Sequence, residues 1–244
     1  MQFLAAYTFA HAYSTTGRST AAGGTSGVNG NQNNPRANYG RSEFDREHRF
    51  VLSYVYQLPG THNSNAFVNG LLNGWSLAGV TTIQSGAPLT LTGTNSRNVF
   101  GITGDRAQLA PGCTYADLST SGSVQSRLTG YFNRVCISGL TATGGTASWP
   151  VIGNDGLATN FGNSGVGIVV GPGQNNSDIA IIKRTPFRLL GEAGNVEFRA
   201  EFFNAFNHTQ FSNPSTNVSS AAFGTITSTA VNPRIIQFAL KLNF

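Results

Sequence analysis

Charge is scarce in this sequence. Asp, Glu, Lys and Arg make up only 10% of its 244 residues, against roughly 25% in ordinary globular domains. Such a chain stays in solution by some other means or is not in solution. Long apolar runs are missing too. No stretch approaches the roughly 20 apolar residues of a transmembrane helix. That excludes a helical span but leaves a barrel open, because barrel strands need only about 10 alternating residues each. Basic runs are also lacking. The 15 Lys and Arg are scattered singly although the net charge is +5. The electrostatic footprint of a nucleic-acid binder is therefore absent, and no nucleic-acid partner is expected.

Cysteine occurs twice, as Cys113 and Cys136, both in a loop-like stretch. No His sits at ligand spacing from either, so they do not make a zinc site. They can close a disulfide over roughly two dozen residues, worth about 3 kcal/mol by chain entropy, in an oxidising compartment. The alternative is two free thiols. The start of the chain lacks the positive region of a secretory signal. Thr8 interrupts its apolar run, although Ala10-His11-Ala12 has the look of a cleavage site. Read as a strand, it places Phe3, Ala5, Tyr7 and Phe9 on one face. A barrel needs export, so the chain is expected to be the tail of something longer.

What the sequence does contain is alternation. From Ile236 to the final residue, Ile236, Phe238, Leu240, Leu242 and Phe244 are apolar, while Gln237, Lys241 and Asn243 are polar. Period two puts these sets on opposite faces of a strand. A barrel has reason to carry its most hydrophobic strand to the chain end, since that strand must pair, close the wall and meet the interface with aromatics. The pattern recurs in Phe50, Leu52, Tyr54, Tyr56 and Leu58, in Trp75, Leu77, Gly79, Thr81 and Ile83, in Ile179 and Ile181, and in Val196, Phe198, Ala200 and Phe202. Strands are expected near 2–13, 47–58, 74–85, 177–187, 195–206 and 234–244, with a strand end or bulge near Lys183 and Pro186. A one-residue slip in the fifth would send Glu197, Arg199 and Glu201 into oil. Each charge there costs up to about 2–4 kcal/mol at the midplane, carboxylates less, so register is well specified.

The connections alternate in length: long, moderate, very long, short, long. Outer-membrane barrels have short periplasmic turns and long external loops, and a soluble sandwich has no reason to sort its loops by parity. The polar stretch from Ser14 to Ser42 reads as a long mobile loop, Gly93 to Asn175 as a large external loop region, and Leu190 to Gly194 as a short turn. The expected fold is all-β: an antiparallel transmembrane β-barrel segment, an open wall of about six strands. Six is fewer than the eight of the smallest barrels, so the segment should not close alone.

These residues carry a resemblance. NPRANYGRSEFDREHRFVLSYVYQLP from Asn34, NGWSLAGVTTIQSGAPLTLT from Asn73, FGNSG from Phe161, GPGQNNSD from Gly171, VEFRAEFFNAFNHTQF from Val196 and FGTITSTAVNPRIIQFALKLNF from Phe223 resemble the C-terminal part of TonB-dependent outer-membrane receptors, in particular the Oar-like group. The likeness spans nearly the whole chain. It implies a barrel of about 22 strands with a plugged lumen, of which residues 1–244 would be the closing portion. The plug and the TonB-contacting segment would lie in the part of the receptor not in this sequence. The implied role is energy-coupled uptake of a bulky nutrient, with the external loops meeting the ligand. The implied partners are outer-membrane lipid, TonB and the barrel-assembly machinery, which would read the final strand through Phe238, Leu240, Leu242 and Phe244.

Candidate chemistry is thin. Asp45, Arg46, Glu47, His48 and Arg49 form the densest charge cluster. His48 as a base oriented by Asp45 would need a nucleophile or oxyanion arrangement that the sequence does not supply, so the cluster reads as the start of a strand near headgroups. Glu197, Arg199 and Glu201 read as a lumen-facing ladder. His208 is a lone loop histidine. Gly165-Val166-Gly167 and Gly171-Pro172-Gly173 look like phosphate loops, but no helix follows either. Tyr54, Tyr56, Trp75, Phe202 and Phe206 read as lipid-facing or girdle aromatics. No catalytic residue, cofactor or metal is expected. Two other classes stay open: a surface or adhesion protein using the barrel as an anchor, and a soluble secreted β-sandwich.

Overall fold

A computed structural model of the chain describes residues 1–15, 34–62, 65–94, 104–143, 151–152, 158–187 and 194–244. One six-stranded antiparallel sheet dominates it. Its strands are β1 (Gln2–Phe9), β2 (His48–Gln57), β3 (Trp75–Gln84), β4 (Gln174–Pro186), β5 (Asn195–Phe203) and β6 (Ile235–Asn243). Each pairs with the next in chain order. No helix among the described residues is long and apolar enough to cross a membrane.

The pairing carries the apolar set through all six strands on one face. Phe3 lies opposite Tyr54, Tyr54 opposite Gly79, and Gly79 opposite Ile179. Ile179 in turn lies opposite Phe202, and Phe202 opposite Ile236. Opposed residues in an antiparallel pair share a face, so the alternations legible in single strands add into one apolar surface. Most of it is open to solvent: Phe238 and Leu240 keep 67% and 68% of their surface exposed. An apolar patch of that extent marks a surface meant for lipid or a partner. At its centre the Tyr54 ring lies over Gly79, where a Cβ would meet the phenol oxygen at 2.6 Å. Glycine is what lets the ring lie flat there.

The strand ends differ from the expectation in ways the side chains explain. β1 stops at Phe9 rather than near Tyr13, because the amide of Ala12 turns to the Asp45 carboxylate at 2.9 Å. β4 begins at Gln174, ahead of the expected 177. Its first residues are polar, but Gln174 to Ser177 pair with Gln84 to Thr81. Further on, β4 keeps its register through Lys183 and ends at Pro186. β5 ends at Phe203 rather than 206, where Asn204 takes a positive φ of 50°. The connection between β2 and β3 holds an unexpected seven-residue helix, α1 (Ala66–Leu72), capped by the Asn65 side chain, which accepts from the amide of Phe67 at 2.9 Å. The mobile loop expected from Ser14 to Ser42 falls largely outside the described residues, as does most of the turn expected from Leu190 to Gly194. The described ends of the former are ordered: Tyr13 pairs with Arg41 and Ser14 with Gly40.

The described residues of the external loop region expected from Gly93 to Asn175 belong to a packed unit, here termed the cap, at the sheet end away from Asn243. Leu91, Ala107, Leu118, Phe132, Ile137 and Val169 form its core together with Val218, Phe223 and Ile226 from the β5–β6 connection. Among the described residues, Ala200 is the only buried apolar residue that lies in the wall. The wall therefore has almost no interior of its own.

Candidate functional site

The cap is built without long strands. Short pairings such as Thr92–Thr94 with Gly104–Arg106, and 3-10 turns such as Tyr115–Leu118, satisfy the backbone locally. Two distant segments then clasp. Thr92 donates to Thr216 O at 3.0 Å and accepts from Val218 N at 2.8 Å, while Tyr131 N donates to Gly224 O at 2.9 Å. Inside, the Phe132 and Phe223 rings stack at 5.4 Å. Arg127 lies over the Tyr131 ring at 4.3 Å and donates to Thr120 O at 2.6 Å. Cys113 and Cys136 are joined by a disulfide with Cα atoms 5.5 Å apart, tying one 3-10 turn to the rim of this core.

Close backbone contact fixes the neck between cap and wall. A Cβ on Gly86 would fall 1.8 Å from Gly171 O, and one on Gly162 1.7 Å from Arg106 O. The Gly171-Pro172-Gly173 and Gly165-Val166-Gly167 stretches are thus packing devices. Gly171 N donates to Ala87 O at 2.8 Å, and Gly167 N to Thr90 Oγ1 at 2.9 Å. Beside them Asp105 is fully buried and accepts from the amides of Gly162 and Arg106, both at 2.7 Å. Burial pushes its carboxyl above the usual range, although those amides and the Arg106 charge oppose the shift.

The charge cluster of the sequence resolves into a second organiser. Asp45 is buried. It accepts from Arg41 Nε at 2.7 Å and from Ala12 N at 2.9 Å, with His11 Nδ1 at 3.5 Å. Burial alone would raise its carboxyl. The Arg41 and Ala12 hydrogen bonds and the Arg41 charge outweigh that and hold it below the ordinary range. His48 instead faces Tyr7, whose hydroxyl lies 2.9 Å from Nδ1. The structure thus places Asp45 and His48 in separate constellations: Asp45 joins the β1–β2 connection, and His48 packs on β1.

Two residues missed in the sequence control the β5–β6 corner. Asn204 is buried and donates to the carbonyls of His208 and Asn232, at 3.0 and 3.2 Å. Its Oδ1 accepts from His208 N at 3.0 Å. Gln210, also buried, completes the β4 ladder: its Oε1 accepts from Asn175 N at 2.7 Å, and its Nε2 donates to Asn175 O. A side-chain amide here imitates a neighbouring strand. The only sequence signal was a run of polar residues directly after an aromatic strand.

The second face of the wall carries the charge. Glu197 lies opposite Lys241 and accepts from Arg184 Nε at 2.7 Å, while Arg199 Nη2 pairs with Glu201 at 3.0 Å. Not all of that face is polar. Leu4, Val55 and Val80 share it and stay substantially exposed. An open trough of about 510 Å³ crosses β1 to β5, lined by these three with Ser53, Asp178 and Glu201. On the opposite face, Phe238, Leu240, Leu242 and Phe244 stand exposed along β6, with the Phe238 ring 6.1 Å from Phe198. Among the described residues β6 pairs only with β5, and β1 only with β2.

An antiparallel wall, apolar on one side and charged on the other, is the architecture of a membrane-spanning barrel. The chain matches the family model described as outer membrane beta barrel domain over residues 1–237 and belongs to that family. It is therefore an outer-membrane protein. No curated protein and no solved structure matches it.

Proposed function

We propose that this chain forms part of the wall and the ligand-facing cap of a TonB-dependent outer-membrane receptor. Its role would be energy-coupled uptake of a bulky nutrient rather than catalysis. The observation that carries the reading is the inner face of the wall. A water-filled channel is lined by polar groups, yet Leu4, Val55 and Val80 keep 68%, 45% and 44% of their surface exposed beside the trough. Such a patch calls for a solid body in the lumen, and a plug is such a body. The open β1 and β6 edges would be completed by further wall strands, because a lipid-exposed edge leaves its backbone groups unsatisfied. The barrel-assembly machinery would add β6 strandwise and read Phe238, Leu240, Leu242 and Phe244 through alternate pockets. The cap would face outward and supply the recognition surface, as connections on a rigid scaffold commonly do.

The test compares uptake of labelled oligosaccharides and oligopeptides in three strains: wild type, one lacking this gene, and one lacking TonB. Transport predicts that some nutrient is lost in both mutants alike. A barrel that serves only as an anchor for surface adhesion predicts no uptake defect without the gene, and that result rejects the transport reading.

A further inference from the structure

The connection between β2 and β3 leaves the wall at the end opposite the cap. Residues 58–74 contain no Asp, Glu, Lys or Arg, and their polar residues are Thr61 to Asn65, Asn69 and Asn73. Within it α1 exposes Phe67, Leu71 and Leu72 at 79%, 58% and 49% of their surface. Phe67 and Leu71 stand four residues apart and so project from one side of the helix.

Two side chains of the oil-facing set hold this helix. Trp75 and Lys183 are opposed across β3 and β4, in line with Leu77, Ile181 and Phe198. Trp75 Nε1 donates to Leu71 O at 2.9 Å. Lys183 Nζ donates to Gly70 O at 2.6 Å and to Asn73 O, and lies 5.5 Å from the Trp75 ring centre. The only lysine on the oil-facing side of β4 is thus spent on the carbonyl end of α1. The helix sits where the oil-facing surface of the wall ends, held there through its backbone carbonyls by Trp75 and Lys183.

We propose that α1 is an interfacial anchor. It would lie on the wall's outer side in the headgroup and acyl boundary of the leaflet away from the cap, with Phe67 and Leu71 in lipid. Each contact has a physical reason in that position. An indole belongs at the boundary, with its ring in oil and its N–H on a polar partner. A lysine at the boundary lays its stem on apolar surface and directs its ammonium to the wet end. A helix with an apolar side and no net charge gains from shallow burial in proportion to apolar area. The occupant is phospholipid because the oil-facing surface of an outer-membrane wall runs directly into the helix.

Nitroxide labels test this on the full chain assembled in outer membranes, under oxidising conditions that keep Cys113 and Cys136 joined. Single variants Phe67→Cys and Leu71→Cys are compared with Leu240→Cys in the oil-facing surface and Ala116→Cys on the cap exterior. Assembly of each is confirmed by heat-modifiable gel mobility. The ratio of oxygen to nickel-chelate collision rates at positions 67 and 71 is expected to approach that at 240 and to exceed that at 116 several-fold. A ratio at both helix positions equal to that at 116 places the helix in water and overturns the proposal. Low collision rates with both reagents place it against protein and overturn it equally. A low ratio at 240 would instead count against the lipid face itself, so the two failures are distinguishable.

Discussion

The backbone amide of Asn204 donates to Asp178 Oδ1 at 2.8 Å. One carboxylate on β4 thereby receives the chain as it leaves β5. Asn204 holds a positive φ of 50° at that point and makes three side-chain hydrogen bonds. Asn204→Ala loses those bonds and places an L-residue with no local partner in the left-handed region. The expected cost is at least about 3 kcal/mol. Asn204→Gly keeps the backbone conformation, so it is expected to be milder by about 1–2 kcal/mol. Urea unfolding of the two variants in detergent gives the comparison. Equal losses would show that the left-handed conformation is not what Asn204 supplies.

Identical charges placed on opposite faces of β6 should behave oppositely. Leu240→Arg puts a guanidinium into lipid at a cost of about 2–4 kcal/mol near the midplane, and the assembled fraction should fall. Gln237→Arg lies across from Glu201 and should leave assembly unchanged. Heat-modifiable mobility of outer-membrane fractions measures both. A normal assembled level for Leu240→Arg would mean that this face is not in oil.

The Cys113–Cys136 disulfide closes a segment with a sequence separation of 23 residues. Its removal in a Cys113→Ser, Cys136→Ser double variant should lower cap stability by about 3 kcal/mol through chain entropy. Amide exchange should then quicken around Leu118, Phe132 and Ile137, while β2 to β5 keep their protection.

Acid should act on the buried carboxylates of Asp45 and Asp105 with opposite sign. Asp45 is held low, so its contribution is fully present above the unfolded value of about 3.9 and is lost as pH falls through the folded value. Asp45→Asn should weaken the β1–β2 connection by about 1.5–3 kcal/mol at neutral pH, the worth of a charged hydrogen bond. Asp105 is raised, so the folded cap binds its proton more readily than the unfolded chain does. The cap should therefore lose stability as pH rises from the ordinary carboxyl value through the folded one. Asp105→Asn should abolish that slope whatever its absolute stability. Exchange at Gly162 and Arg106, corrected for intrinsic pH dependence, follows it directly.

The wall was legible because its stabilising partner is the surroundings. Lipid on one side writes a period of two into each strand, and every apolar residue from Ile236 to Phe244 reports it locally. The start of β4 was not legible, because Gln174, Asn175, Asn176 and Ser177 are held by backbone pairing and carry no apolar mark. The cap was hidden for a related reason. Its core draws Leu91, Leu118, Phe132 and Phe223 from turns far apart in the chain, and no period survives such assembly. Asp45 stands in a charge run of the sequence, but its partner Ala12 is a backbone amide that no composition argument finds. Asn204 and Gln210 act on main-chain groups in the same way and leave no mark in the sequence pattern.

The near-total absence of a protein interior from the wall has a practical side. This polypeptide answers to two solvents at once, hydrocarbon for the sheet and its own side chains for the cap. Heating in a mild detergent should produce two separate transitions rather than one. The first to go will depend on micelle and redox buffer, not on the sequence alone.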